Sequence, residues 1–335
     1  MPLSDIFKTL ISNKQAFSFI RNPGENTVYM LVEDNAGTNT YSFISFDTSK
    51  KYAFRFSRFE EVSGEELKKG FPIPLSEEEN TEVFSREDYL ELVEKTVRFL
   101  QEGKARKIVI SRKKWINNPE INPVQSFLFL CKKYPESFCH LSYWNPKEVW
   151  LGATPEILGI FEEPFFKTIS LAGTLPDEDS FLWGEKEIGE QRYVTEYIHE
   201  KLKNHSSRIS LNGPNTLHLG HVKHLITYFS AQLENSTQLS QLIQALHPTP
   251  AVCGLPLEVS RNFILKEEGY DRDFYAGYIG IQTPDFQNYF VNLRCGRLHK
   301  NGVLLFVGGG ITAQSDPEKE WKETELKAKF ISESL

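Results

Sequence analysis

The sequence predicts an α+β fold in which large antiparallel β-sheets pack together and are flanked by helices. Strand-like and helix-like segments do not alternate regularly, as a parallel βαβ sheet requires. Strand-like runs instead follow one another at hairpin spacing, most clearly at 138–143, 148–152, 157–162 and 166–172. The chain has 335 residues, 40% hydrophobic and 25% charged, enough to bury a large core. It is read as one unit over 1–335, with a divergent β-rich N-terminal part at 1–84 and a core at 85–330.

In the N-terminal part, Tyr41–Phe46 and Tyr52–Phe56 alternate with period two and read as strands. Residues 73–84 carry prolines and glutamates and read as a linker. Ser85 then caps a helix, with Asp88 completing a box-like start and Tyr89, Leu92, Val93, Val97 and Leu100 forming its apolar face. Lys107–Ile110 is a strand, and a helix follows near 122–134 before the strand series given above. Residues 183–204 read as a helix with Tyr193, Val194, Ile198 and Leu202 on one buried stripe. A strand at 225–233 precedes helices near 237–246 and 257–266. The segment holding His218 reads as helix interrupted at Gly220. Three strands are expected at 274–282, 288–298 and 302–308, then a turn at Gly308-Gly309-Gly310 and a last helix over 316–333.

The formal net charge of −7 argues against a nucleic-acid partner, which calls for clustered excess Lys and Arg. It leaves room for a small anionic ligand in a locally cationic pocket. Cys131, Cys139, Cys253 and Cys295 match no zinc spacing and no compact disulfide framework, so free thiols in a reducing compartment are expected. Residues 1–20 lack a signal-peptide core, and no apolar stretch approaches the roughly 20 residues of a membrane span. A cytoplasmic protein with no membrane contact is the expectation.

A few side chains carry chemistry. Lys107 lies on an apolar strand, where lost hydration favours a neutral amine that can accept a proton. Glu156 follows Thr154-Pro155, and a partly buried carboxyl there could keep its proton near neutral pH. Glu320 and Glu323 share one helix face, where a Mg²⁺ ion would relieve their repulsion. Taken singly, each also fits a surface role: an edge lysine, a glutamate after a turn, a solvated acidic face with Glu323 paired to Lys327. His218, His221 and His224 have a metal-like spacing but no fourth ligand at a fixed offset, and His224 reads better as a pocket residue. Gly308–Gly310 lacks both the spacing and the lysine of a phosphate loop.

Together these segments resemble the chorismate-utilising enzymes, in particular their isochorismate synthase branch. The resemblance covers about residues 85–330. It rests on Lys107-Ile-Val-Ile-Ser-Arg112, Gly152-Ala-Thr-Pro-Glu156, Leu171-Ala-Gly-Thr174, Lys223-His-Leu225, Leu246-His-Pro-Thr-Pro-Ala-Val-Cys-Gly-Leu-Pro256, Tyr275-Ala-Gly-Tyr-Ile-Gly280, Asn292-Leu-Arg294, Gly308-Gly-Gly-Ile311 and Glu320-Trp-Lys-Glu323. Each is weak alone, and their common order makes the set specific. The resemblance implies Lys107 as the general base that activates water and Glu156 as the general acid. It implies Glu190, Glu320 and Glu323 as carboxylates around Mg²⁺, with Glu320 acting through a water. Arg294 and Lys327 would hold the enolpyruvyl carboxylate, and Gly173, Thr174, His224, Ala251, Leu293 and Gly309 would line the substrate.

The implied reaction is Mg²⁺-dependent conversion of chorismate to isochorismate, feeding menaquinone or siderophore synthesis. Ala251 stands where the anthranilate, aminodeoxychorismate and salicylate synthases tend to carry threonine, and so points to an enzyme that stops at isochorismate. No obligatory glutamine amidotransferase subunit is implied, and a monomer is expected. The alternatives are a salicylate synthase that also eliminates pyruvate, a silent binding protein on the same fold, and a zinc protein built on the histidines.

Overall fold

Two antiparallel sheets organise the chain in the computed structural model, which describes residues 3–77, 84–178, 180–206, 208–219, 222–233 and 236–335. From the N-terminus, α1 (Leu3–Ser12) leads into β1 (Phe17–Arg21), β2 (Val28–Val32), β3 (Asn39–Ile44), β4 (Lys51–Phe56), β5 (Glu60–Val62) and α2 (Gly64–Lys68). Then come α3 (Arg86–Gln101), β6 (Lys107–Asn117), α4 (Pro123–Lys133), β7 (Phe138–Asn145), β8 (Glu148–Thr154), β9 (Ile157–Glu162) and β10 (Phe165–Pro176). The chain continues through α5 (Glu185–Lys203), β11 (Ile209–Leu219), β12 (Val222–Gln232), α6 (Ser236–Leu246), β13 (Gly254–Leu255) and α7 (Leu257–Glu267). It ends with β14 (Tyr278–Gln282), β15 (Gln287–Val291), β16 (Cys295–His299), β17 (Gly302–Ile311) and α8 (Pro317–Ser332).

The nine-stranded sheet runs β13-β6-β17-β16-β8-β7-β1-β2-β5, and the eight-stranded sheet runs β11-β12-β10-β9-β15-β14-β3-β4. The largest core lies between them. There Phe138 of one sheet stacks on Phe290 of the other at 4.1 Å, and the Tyr41 hydroxyl meets Ser142 Oγ at 2.8 Å. A second core covers the other face of the nine-stranded sheet with Phe7 of α1, Leu67 of α2, Phe127 of α4 and Phe330 of α8. Burial on both faces explains why β1 is buried at every position, its polar Ser18 and Arg21 included.

The predicted helix at 86–101 forms with its capping box: Ser85 Oγ accepts from Asp88 N, and the Asp88 carboxylate accepts from Ser85 N. Five expectations are corrected. Residues 3–12, read only as part of a β-rich region, form α1. The segment 209–219 is an edge strand, not helix; its Asn, Gly and Pro hide any period, and Pro214 is tolerated where no further strand needs its donor. Gly308–Gly310 are not a turn but lie inside β17, paired with Ser111, Ile110 and Val109. The strand expected at 288–298 is two strands in different sheets, β15 and β16, because the chain crosses between sheets at residues 292–294. The first strand of that trio also starts later than expected, at Tyr278. Of the predicted linker, residues 78–83 lie outside the described residues, as do Gly220 and His221.

A buried ion pair ties the strand that begins at Lys107 to the segment carrying Ala251. Arg272 bonds Glu268 Oε1 at 2.5 Å and Oε2 at 2.8 Å, Val109 O at 2.6 Å and Val252 O at 2.9 Å. Glu268 also accepts from Ser111 N at 2.6 Å. Breaking such a pair leaves an uncompensated buried charge, so Arg272→Met is expected to cost about 3–5 kcal/mol in urea unfolding. Adding Glu268→Gln should recover part of that loss, and strictly additive losses would contradict the coupling.

Candidate active site

The first line of the site is set by β6 and β17. Lys107 opens β6 and is 2% exposed. Its Nζ lies 3.5 Å from Glu190 Oε1 on α5. The two meet over Gly310, where a Cβ would stand 2.1 Å from Glu190 Oε1 and 2.8 Å from Lys107 Cε. Only glycine permits that approach. A solvent-facing edge lysine is thereby excluded.

Glu156 follows β8 and is likewise buried, which excludes the surface reading. Burial is the main influence on its carboxyl and pushes it from about 4.5 up to about 7, against the pull of the Lys107, Arg294 and Lys327 charges. Thr249 Oγ1 donates to its Oε1 at 3.5 Å.

The crossing between sheets presents Arg294, whose φ of 49° turns its side chain out of either strand's alternation. Its Nη2 donates to His224 Nε2 at 2.7 Å, and its guanidinium lies 3.6 Å from the Phe330 ring centroid. Nη1 is buried and has no hydrogen-bond partner among the described residues. Burial lowers this guanidinium to about 9. Burial, then the Arg294 and Lys327 charges, hold His224 well below its usual range, so its ring is neutral. With Nε2 accepting from Arg294, Nδ1 carries the proton and donates toward Gly173 O at 3.2 Å, with Thr174 Oγ1 also 3.2 Å away. Gly173, at φ 72°, marks the bulge in β10 that brings its carbonyl to His224.

On α8, Glu323 pairs with Lys327 at 2.8 Å, as an i,i+4 pair should, and Lys327 Nζ also donates to Gly308 O at 2.9 Å. Glu320 is fully buried behind the pocket wall. Lys186 of α5 holds its Oε1 at 2.6 Å, while Oε2 has no hydrogen-bond partner among the described residues. Burial, reinforced by Glu323, raises the Glu320 carboxyl to about 7. For Glu323, burial works the other way from the net effect: Lys327 and Lys186 hold it below the usual carboxylate range. Each of the three acids thus faces a lysine. Among the described residues no three His, Cys, Asp or Glu side chains converge closely enough to hold an ion as they stand, because Glu190 is turned to Lys107.

One pocket gathers Lys107, Glu156, Gly173, Thr174, Glu190 and His224 with Ala251, Leu293, Arg294, Gly309, Glu323 and Lys327 on its wall. Of the residues predicted for the site, Glu320 alone is set back from that wall. The histidines are dispersed: His218 is exposed on β11 and pairs with Asp177 at 2.7 Å, while His224 is buried on β12. Lys186, Thr249 and Tyr275 are site residues that sequence reasoning does not reach. Lys186 had one usable signal, its place four residues ahead of Glu190 on one helix face. The four cysteines are free thiols. No helix among the described residues is long and apolar enough to cross a membrane.

Comparison with known proteins places the chain. Isochorismate synthase MenF of Haemophilus influenzae is 28% identical over 315 residues, covering 89% of this chain and 72% of that protein. Isochorismate synthase EntC of Escherichia coli is 33% identical over 191 residues, covering 53% of this chain and 49% of EntC. The coverage varies among relatives, and the chain spans 43% of the chloroplastic isochorismate synthase 2 of Arabidopsis thaliana. In solved structures the fold recurs in MenF of Escherichia coli, with TM-score 0.80 at 20% identity over 96% of this chain and 88% of that one. It recurs again in anthranilate synthase component I of Streptococcus pneumoniae, with TM-score 0.72 at 17% identity over 94% and 90%. The architecture is therefore shared by enzymes with different products. Residues 33–335 match the family described as chorismate binding enzyme, reaching well into the N-terminal part, and the chain belongs to that family.

Proposed function

We infer that the chain is an isochorismate synthase that converts chorismate to isochorismate. The observation that carries this reading is a buried lysine beside a buried carboxyl raised to about 7, both facing one pocket with a cationic end. In its neutral form, Lys107 takes a proton from a water as the water's oxygen bonds to ring carbon 2. The ring double bonds shift, the bond from carbon 4 to its hydroxyl breaks, and Glu156 gives its proton to the departing oxygen. One water enters and one leaves. Arg294, whose Nη1 has no hydrogen-bond partner among the described residues, and Lys327 suit the enolpyruvyl carboxylate. His224 fixes the guanidinium, and Thr174, Leu293 and Ala251 shape the ring's surroundings.

Chorismate-utilising enzymes generally depend on Mg²⁺, and Glu190 and Glu323 on the pocket wall with Glu320 behind it offer oxygen ligands of the kind such an ion takes. Glu190, Glu320 and Glu323 would hold it, and the unpartnered Glu320 Oε2 is an oxygen still to be satisfied. When bound, the ion supplies positive charge for the ring carboxylate. Residues 1–335 act as one chorismate-binding unit in this reading, as a cytoplasmic monomer without an amidotransferase partner, a nucleic-acid partner or a membrane.

The test is direct: the purified protein is incubated with chorismate with and without Mg²⁺, and the products are separated by HPLC. Isochorismate that depends on Mg²⁺, without pyruvate, is expected; ammonia-dependent anthranilate, or mainly salicylate and pyruvate, would overturn the reading. Ala251 is half-buried on the pocket wall. Replacing it with threonine adds a hydroxyl and a branch there and is expected to tilt the ligand, so that A251T releases measurable pyruvate. A complete absence of pyruvate from A251T would count against that placement of the ring.

A further inference from the structure

Tyr89 of α3 is fully buried, its ring packed against Trp321 at a 6.0 Å centroid distance and beneath the Arg112 guanidinium at 5.7 Å. Its hydroxyl has no hydrogen-bond partner among the described residues. A phenylalanine would satisfy the same packing, and a buried hydroxyl left unpaired is unfavourable. What the hydroxyl faces is therefore informative. A methyl group built on Gly309 would lie 3.2 Å from Glu320 Oε2, 3.6 Å from the Tyr89 hydroxyl oxygen and 3.7 Å from Glu323 Oε1. Oxygens from two helices, α3 and α8, thus converge on one space over β17. The Glu320 oxygen there also has no hydrogen-bond partner among the described residues, since Lys186 is bound to the other one, and Ser315 is a further polar neighbour of this carboxylate. A phenol O–H and a carboxylate oxygen that border one space without bonding each other are matched by a bridging water.

We propose that Tyr89 is a positioning residue of the metal site: its hydroxyl and Glu320 Oε2 hold a water over Gly309, beside Glu323, that belongs to the hydration shell of bound Mg²⁺. This rests on the Mg²⁺ reading above. Mg²⁺ gives up its waters reluctantly and is held largely through them, so a group that orients one contributes to affinity without touching the ion. Groups of this kind typically change metal affinity by about 10–100-fold. The arrangement also assigns the two carboxylates of α8 different tasks, Glu323 on the pocket wall and Glu320 acting from behind it through the water shared with Tyr89.

The experiment is a Mg²⁺ titration of the wild-type protein and Tyr89→Phe by isothermal calorimetry, with Tm measured for both without metal and at saturating Mg²⁺. The expected result is about 10–100-fold weaker Mg²⁺ binding by Y89F. Its metal-free Tm should be equal to or above that of the wild type, because no protein hydrogen bond is lost, while its Mg²⁺-induced rise in Tm should be smaller. Equal affinity in the two proteins overturns the role of Tyr89 and leaves the metal reading intact. A metal-free Tm several degrees below wild type means that the hydroxyl is bonded within the protein, and also overturns it. No Mg²⁺ binding by the wild type overturns the metal reading and this role together.

Discussion

Lys107→Ala is expected to reduce isochorismate formation by roughly 10²–10⁴-fold, the usual contribution of a positioned proton acceptor. Alanine offers no base to the incoming water, whereas the groups suited to the substrate's carboxylate, Arg294 and Lys327, remain. The loss should therefore fall on kcat, with chorismate binding little changed. Stability needs a separate control, because Glu190 loses the cation 3.5 Å from its carboxylate. Lys107→Gln keeps a donor near Glu190 but no base, so it should fold like the wild type and remain as inactive as the alanine variant. Added methylamine should restore part of the turnover of K107A, by filling the space with a small base, and none of that of K107Q. Near-normal turnover by either variant would remove Lys107 from the reaction.

Glu156→Gln separates activity from stability in opposite directions. Burial raises this carboxyl from about 4.5 up to about 7. The folded protein therefore keeps a proton that the unfolded chain has released between those values. The resulting contribution to stability is full below about 4.5 and is lost as pH rises through about 7. At pH 8 the wild type carries a buried carboxylate, and the neutral amide does not. E156Q should be the more stable protein at pH 8, by on the order of 1–3 kcal/mol, with the gap closing toward pH 4.5. Its turnover should nonetheless fall by roughly 10²–10⁴-fold, because the amide has no proton to give the departing hydroxyl. The wild-type rate should decline above about pH 7 as the acid loses that proton. A variant that is less stable than wild type at pH 8, or that turns over normally, would contradict the assignment.

The sequence was a good guide where one local signal governs. Ser85 and Asp88 state the start of α3, and the stripe through Val194, Ile198 and Leu202 states α5. It misled where tertiary context decides. Residues 288–298 read as one strand, yet Asn292 bonds Phe274 O and His140 at the join and the chain passes from one sheet to the other there. Gly308–Gly310 look like a turn because small residues usually mark one. Here they leave room above a strand for Lys107, Glu190 and their neighbours. The pocket's membership was legible because the motifs bring whole segments with them. The partners within it were not: Glu190 faces Lys107 and Glu320 faces Lys186, and side-chain pairing across helices and sheets has no fixed sequence spacing.

The N-terminal strands do not form a layer of their own. β1 lies between β2 and β7, and β3 lies between β4 and β14, so each great sheet is completed by segments from both ends of the chain. Tyr41 pairs with Ile281, a partner translated long after it. β3 must therefore wait for a much later segment of the chain before that edge is covered. Such long-range pairing predicts slow folding of high contact order, with β3 as an exposed template for intermolecular pairing in the interval. Aggregation during refolding should accordingly rise with protein concentration and fall when residues that form the C-terminal strands are already present in trans.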